Sequence, residues 1–161
     1  MEYPTRVRIV GSEEEDDAMK LCRELWEENG VFPLDEDKVR GMLRRAFRRE
    51  GGILGAIGAP GALEGLIYML VSSHWYSSRA HLEELFLYVR PEYRKTRNAI
   101  ELMHFAKWCS EQTGFPLIIG VFSNERTEGK VRLYQRQFSK PAGNYFLYTA
   151  SSEDAQAARS H

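Results

Sequence analysis

The chain has 161 residues, of which 43% are hydrophobic and 28% are charged, and its formal net charge is −1. These values predict one globular domain and exclude a disordered chain and a strongly basic polyanion-binding protein. We find no signal-peptide pattern and no run of the roughly 18 apolar residues that a membrane span requires, so we expect a protein that does not enter membranes. The cysteines Cys22 and Cys109 fit neither a metal site nor a disulfide framework, and we therefore expect a reduced, cytoplasmic setting.

Hydrophobic periodicity alternates along the chain between the spacing of helices and that of strands. Capping residues and glycines mark where most elements begin and end. The predicted elements are a strand Thr5–Val10, a helix capped by Ser12 and ended by Gly30, a helix capped by Asp35 and ended by Gly51 and Gly52, strands Ile53–Ile57 and Leu63–Val71 joined by a turn at 58–61, a strand Leu82–Val89, a helix Asn98–Thr113, a strand Leu117–Phe122, a helix Asn124–Phe138 and a strand Asn144–Thr149.

This order, β-α-α-β-β-β-α-β-α-β, predicts a mixed α/β layer structure rather than a doubly wound parallel sheet. We expect a single domain over residues 1–150. The small, polar residues 151–161 predict a flexible C-terminal tail.

The most informative segment is the passage from the strand that ends at Val89 to the helix that begins at Asn98. Between them lies a short basic turn, residues 90–97, which includes Arg94, Lys95 and Arg97. The unpaired N–H groups and the dipole of a helix N-terminus favour negative charge. A strand that enters a helix through a basic turn therefore predicts a phosphate-binding site, although a solvated basic turn would give the same sequence.

The element order and this turn together resemble the GNAT superfamily of N-acyltransferases. That family has a pyrophosphate motif, Gln/Arg-x-x-Gly-x-Gly/Ala, and residues 94–99 read Arg-Lys-Thr-Arg-Asn-Ala. Residues 89–93, Val-Arg-Pro-Glu-Tyr, resemble the segment that precedes the motif, and Leu133-Tyr134 resembles a late-helix tyrosine of the family. The sequence of residues 94–99 is also similar to that of family members from bacteriophage genomes.

The resemblance implies acetyl-CoA as co-substrate and acetyl transfer to a primary amine of a small molecule or protein. It implies that the turn holds the diphosphate and that the preceding strand pairs with the pantetheine arm. Arg97 occupies the usual glycine position, where it is strained if its φ is positive and otherwise adds a charged contact to phosphate. The expected cofactor-binding residues are Tyr88, Val89, Arg94, Lys95, Thr96, Arg97, Asn98, Ala99, Asn124 and Arg126.

Three side chains are candidates for the proton transfers that this reaction requires. Glu83 and Glu84 lie on the strand before the turn, and either could be the general base. Neighbouring strand residues face opposite sides, so only one of them enters the cleft unless a bulge intervenes. Tyr134 is the candidate general acid, with core packing beside Phe138 as the alternative. No serine or cysteine nucleophile is evident, which favours direct transfer.

The aromatic loop 72–78 and a second basic run each allow two interpretations. Trp75 and Tyr76 lie in the loop 72–78 and could line an acceptor pocket or pack as a turn. The basic run from Lys38 to Arg49 predicts a solvated helix face or a rim for an acidic partner. The histidines show no metal-ligand spacing. A homodimer is plausible from the resemblance, whereas nucleic-acid binding is disfavoured, and a non-catalytic binding module on the same fold is the alternative function.

Overall fold

The structure is a computed structural model that describes residues 6–123 and 127–150. The described chain forms two compact units, one of residues 6–21 and 36–119 and the other of residues 22–35, 120–123 and 127–150. The expected tail at 151–161 lies outside the described residues, and the single domain over 1–150 stays a prediction. No helix among the described residues is long and apolar enough to cross a membrane.

Five strands and four α-helices are present in the described residues. Two short 3-10 helices, Ser12–Glu14 and Pro91–Tyr93, precede α1 and α3. The elements are β1 (Arg8–Ile9), α1 (Glu15–Asn29), α2 (Glu36–Phe47), β2 (Gly52–Ala59), β3 (Ala62–Ser73), β4 (Ala80–Val89), α3 (Asn98–Thr113), β5 (Leu117–Ile118) and α4 (Thr127–Phe138).

The strands of the first unit form one sheet in the order β1-β2-β3-β4-β5. The first four strands are antiparallel, and β5 runs parallel to β4. A two-residue turn joins β2 to β3, and Gly61 in that turn has φ of 79°, a conformation that glycine adopts without strain. The sheet is therefore mixed, and the predicted mixed α/β fold class is confirmed.

The main core lies between the sheet and α3. Phe105 of α3 is fully buried and packs with Ile67, Met69 and Leu82 of the sheet. Leu102, Met103 and Ala106 of α3 are also fully buried, so this helix buries a broader face than a narrow amphipathic stripe. Gly114 ends α3 in the left-handed conformation, with φ of 70°.

The helix α2 covers the opposite face of the sheet. Tyr68 follows Ile67 on β3 and points away from α3, and its hydroxyl donates a hydrogen bond to the Met42 carbonyl of α2 at 2.9 Å. Burial raises the pKa of the Tyr68 phenol.

Ion pairs join α1 to α2, and two arginines of the basic run take part in them. The Arg44 and Arg40 guanidinium groups lie 2.8 and 3.0 Å from the Glu15 carboxylate, and their hydrogen bonds lower the pKa of Glu15. Arg40 also contacts Asp16 at 2.9 Å. Two members of the basic run are thus engaged in pairing the helices, an interpretation that the run alone did not suggest.

The predicted strands differ from the structure where a partner strand ends. Residues 119–122 were expected to continue the strand that begins at Leu117, but β5 ends at Ile118. Residues 144–149 were expected to form a last strand and have no regular secondary structure, with Phe146 94% exposed. Alternation marks a segment that is able to form a strand, but the strand forms only where a neighbour supplies the hydrogen bonds.

Candidate active site

The basic turn holds its shape through its own hydrogen bonds. The amides of Tyr93, Arg94 and Thr96 donate to carbonyls three residues earlier in the chain. The Thr96 hydroxyl donates to the Tyr93 carbonyl at 2.5 Å and accepts from the Asn98 amide at 3.2 Å. These hydrogen bonds fix the shape of the turn from within the chain.

Arg97 occupies an ordinary backbone conformation. Its φ is −84° and its ψ is 4°, so the strain that a side chain would have at a left-handed glycine position does not arise. The side chain is 71% exposed, and its Nε lies 3.8 Å from the Glu101 carboxylate. Of the two conformations that the sequence left open, the structure has the unstrained one.

Several main-chain donors of the turn are available to a ligand. Among the described residues, the structure gives no acceptor for the amides of Lys95, Arg97, Ala99 and Ile100. These donors lie at the N-terminus of a 16-residue helix, where the helix dipole adds partial positive charge. The turn therefore combines free amides with cationic side chains, which is the chemistry of an anion site.

Two of the predicted ligand side chains are engaged inside the protein. The Arg94 Nε donates to the Val89 carbonyl at 2.9 Å, and its guanidinium carbon lies 5.6 Å from the centre of the Tyr88 ring. Asn98 is fully buried, and its Nδ2 donates to the Glu64 carboxylate at 2.6 Å. The exposed cationic side chains of the turn are those of Lys95 and Arg97, and Thr96 is exposed beside them.

The edge of β4 is open beside the turn. β5 pairs with β4 only at Leu82 and Glu83, whereas β4 continues to Val89. Within the described sheet, residues 84–89 therefore have a neighbouring strand on the β3 side alone. An open strand edge offers main-chain donors and acceptors to an extended ligand.

A β-bulge in β4 decides which glutamate faces which side of the sheet. Met69 of β3 pairs with Glu84 and the preceding Tyr68 pairs with Phe86, so Leu85 is an extra residue without a partner. Glu84 thus shares the face of Met69, on which α3 packs. Glu83, one residue earlier, lies on the opposite face, and Phe86 returns to that face and stacks on Tyr68 at 5.9 Å.

Glu83 has a histidine beside it on the same face. The His81 Nε2 lies 3.5 Å from the Glu83 carboxylate, as expected for residues two apart on a strand. The His81 side chain is 10% exposed and that of Glu83 is 39% exposed. The carboxylate therefore combines access to solvent with a buried imidazole partner.

The remaining candidates lie elsewhere in the chain. Tyr134 belongs to the second unit, on α4, where its ring centre lies 6.2 Å from that of Phe138. Trp75 and Tyr76 are 89% and 71% exposed and contact each other edge to face in the β3–β4 loop. Asn124 and Arg126 lie outside the described residues.

Sequence reasoning missed two features of the site. Leu85 carries no local signal of a bulge, because the extra residue is defined only by its pairing with β3. His81 was grouped with scattered histidines, although its spacing of two from Glu83 on a predicted strand places both side chains on one face. The second signal was available in the sequence.

No protein-family model matches the sequence, and no curated protein matches it. Solved structures do match. An acetyltransferase of Trypanosoma brucei is 15% identical, with a TM-score of 0.66 over 89% of this chain and 97% of its own. AAC(6')-Iy, in complex with the bisubstrate analog CoA-S-monomethyl-acetylneamine, is 14% identical, with a TM-score of 0.68 over 90% and 97%. The ribosomal-protein-alanine N-acetyltransferase of Brucella melitensis biovar Abortus 2308 is 12% identical, with a TM-score of 0.66 over 90% and 96%.

This chain has the GNAT fold. At these low identities the likeness concerns the arrangement of helices and strands and not the residues of the site. The resemblance to the GNAT superfamily that the sequence shows is thus confirmed at the level of the fold.

Proposed function

We propose that this chain is an acetyl-CoA-dependent N-acetyltransferase that transfers acetyl directly to a primary amine of a small molecule or protein. The observation that carries the proposal is the continuous path along one strand. The open edge of β4 begins after Glu83 and leads to the turn and the start of α3, where four amides have no acceptor among the described residues. A cofactor with an extended arm and a diphosphate matches such a path. The solved structure of AAC(6')-Iy, which shares the fold, is in complex with a CoA bisubstrate analog.

In this proposal the turn binds the diphosphate. The amides of Lys95, Arg97, Ala99 and Ile100 donate to its oxygens, and the exposed Lys95 and Arg97 side chains add charge. The amides and carbonyls of residues around Tyr88 and Val89 pair with the pantetheine arm as an added strand would. The Val89 carbonyl already accepts from Arg94, but a carbonyl oxygen has a second lone pair.

Glu83 is the proposed general base. An alkylamine with a pKa near 10.4 is almost entirely protonated at pH 7, so it needs a proton acceptor before it attacks the thioester. Glu83 lies at the start of the open edge, whereas Glu84 lies on the α3 face. After the ammonium proton moves to Glu83, the amine nitrogen bonds to the acyl carbon, and the carbonyl oxygen becomes an oxyanion.

The Leu85 amide is the proposed donor to that oxyanion. The bulge leaves Leu85 without a partner in β3, two residues beyond the base. A fixed donor that meets developing negative charge is the usual source of stabilisation in acyl transfer, worth about 3–4 kcal/mol for one such donor. Its position is fixed by the backbone, so no side chain is required for this role.

Collapse of the tetrahedral intermediate breaks the carbon–sulfur bond, releases a thiolate and leaves one surplus proton on the product nitrogen. Tyr134 is the proposed acid that protonates this thiolate, because a phenol and a thiol have similar pKa values, and the surplus proton leaves the nitrogen through solvent and restores the phenol. The resemblance of Leu133-Tyr134 to the late-helix tyrosine of the family supports this role. The exposed rings of Trp75 and Tyr76 are proposed to contact the acceptor, since aromatic faces attract ammonium groups.

Direct transfer is favoured over a covalent acyl-enzyme by the state of the thiols. Cys22 and Cys109 are both buried, and burial raises the pKa of each thiol to about 12. A thiol with such a pKa is almost never a thiolate at neutral pH and is a poor nucleophile. Free, buried thiols also support our proposal that the protein acts in the reduced cytoplasm.

Binding of acetyl-CoA is the first test. A thermal shift assay compares acetyl-CoA, CoA and heparin, and a specific ligand at about 100 times its dissociation constant stabilises the folded state by roughly 2.7 kcal/mol. We expect stabilisation by the two CoA compounds and not by heparin. Thiol release with a panel of primary amines then tests turnover.

Each failure of these assays has its own meaning. Stabilisation by CoA without thiol release from any amine indicates a binding module on the same fold. Equal stabilisation by heparin indicates a general polyanion surface. A homodimer is proposed from the resemblance alone, and sedimentation with and without CoA tests it.

A further inference from the structure

The carboxylate of Glu83 lies beside an imidazole that solvent barely reaches. His81 and Glu83 lie two residues apart on β4, opposite Ser72 and Leu70 of β3. The Nε2–Oε2 distance is 3.5 Å. His81 is 8% exposed as a whole residue, so the imidazole has few partners available from water.

This arrangement matters because a glutamate side chain has several rotamers on an exposed strand. A general base must keep its oxygen within hydrogen-bond reach of the proton that it removes. A neighbour that favours one rotamer reduces the entropy that is lost when the base is placed. Glu83 is 39% exposed, and thus solvent alone would leave it mobile.

The buried imidazole is in turn held by its strand. Leu82, between the two residues, is fully buried in the core on the α3 face, and its amide donates to the Pro116 carbonyl at 2.8 Å. The backbone that bears His81 is thus fixed on both sides, by β3 and by the segment that leads into β5. A fixed imidazole is able to orient a carboxylate, whereas the reverse is less effective because Glu83 is the more exposed partner.

We propose that His81 is a positioning residue for the general base, holding the Glu83 carboxylate toward the open edge of β4. The inference rests on the proposed function, since it concerns the base of that reaction. His81 does not touch the substrate in this proposal and acts through Glu83 alone. The alternative is a buried histidine that only packs.

A set of variants separates the two roles. His81→Leu removes the N–H donor and keeps an apolar side chain, whereas His81→Gln retains an N–H donor near the position of Nε2. Glu83→Gln removes the charge of the base, and the double variant combines His81→Leu with Glu83→Gln. His104→Leu is the matched control, because His104 lies on α3 at the opposite face of the sheet.

We expect His81→Leu to lower kcat about tenfold with little change in KM for acetyl-CoA, because the turn that binds the cofactor is intact. His81→Gln is expected within about threefold of the wild type, and His104→Leu is expected to be unchanged. In the Glu83→Gln background, His81→Leu is expected to cause no further loss, since the two residues act as one unit.

Three outcomes overturn the inference. Equal losses from His81→Leu in both backgrounds, or equal losses from His81→Gln and His81→Leu, assign His81 a packing role and leave the proposed function intact. A wild-type protein that binds acetyl-CoA without turning over any amine overturns the proposed function and the inference together. If His81→Leu does not fold, His81→Phe provides the apolar variant for the same comparison.

Discussion

Glu83 and Glu84 are adjacent in the chain and lie on opposite faces of the sheet, so they provide a matched pair of substitutions. Glu83→Gln and Glu84→Gln each remove one carboxylate charge and keep the size of the side chain. Alternation along β4 places only Glu83 on the face that also bears His81, and the bulge at Leu85 returns Phe86 to that same face. We expect Glu83→Gln to lower turnover and Glu84→Gln to leave it nearly unchanged.

The size of the effect follows from the acceptor. At pH 7, an amine with a pKa of about 10.4 is neutral in roughly one molecule in 2,500. A positioned base typically contributes about 10²–10⁴ in rate, and we therefore expect Glu83→Gln to be at least about 100-fold slower at pH 7. Without the base, the variant depends on amine that is already neutral, a fraction that rises about tenfold for each pH unit.

The assay measures thiol release at pH 7, 8 and 9 with saturating acetyl-CoA and an alkylamine. The deficit of Glu83→Gln relative to the wild type is expected to shrink by about 100-fold from pH 7 to pH 9, because neutral amine then replaces the base. A thermal shift with CoA checks that both variants bind the cofactor equally. A deficit that stays constant with pH, or a larger loss from Glu84→Gln, would refute our assignment of the base.

Three further predictions concern packing, the turn and the thiols. Gly55→Ala places a Cβ 2.6 Å from the Phe105 ring, and this overpacking is expected to cost about 1–3 kcal/mol, measured by urea unfolding. Arg97→Gly is expected to leave stability nearly unchanged, since φ is −84°, and to weaken CoA binding about two- to fivefold, measured by calorimetry, because one exposed charge is lost. The Cys22 and Cys109 thiols are expected to resist a disulfide reagent at pH 8, because a pKa of about 12 leaves roughly one thiolate in 10,000.

Each of these predictions has a control. Gly41→Ala on α2 meets nothing within 4 Å and is expected to stabilise the protein by up to about 1 kcal/mol, so a loss as large as that of Gly55→Ala would contradict the packing explanation. Arg48→Gln removes an equal charge beyond α2 and is expected not to alter CoA affinity. Tighter binding by Arg97→Gly would mean that the arginine crowds the diphosphate. Rapid labelling of the native thiols would show that they are less buried than the structure indicates.

Some features of the proposed site were predictable from neighbouring residues in the chain, and others were not. The basic turn and the helix after it were predicted from adjacent residues, and α3 spans the predicted Asn98–Thr113. The conformation of Arg97 was not decided by its neighbours, since both signs of φ were open. Nor could the sequence choose between Glu83 and Glu84, because the choice depends on a bulge that only the pairing with β3 defines.

Most helix ends and turns were determined by the sequence itself, because glycines and apolar spacing act within a few residues of one another. Gly114, for example, ends α3 in the left-handed conformation. The prediction that Ser12 caps the first helix was wrong, since Ser12 begins a 3-10 turn whose N-cap is Gly11, and α1 follows that turn. Strand length and the face that each side chain occupies were decided by the tertiary structure, because both depend on partners distant in the chain. Hence β5 ends at Ile118, residues 144–149 form no strand, and Glu84 rather than Glu83 lies on the face of the sheet that α3 covers.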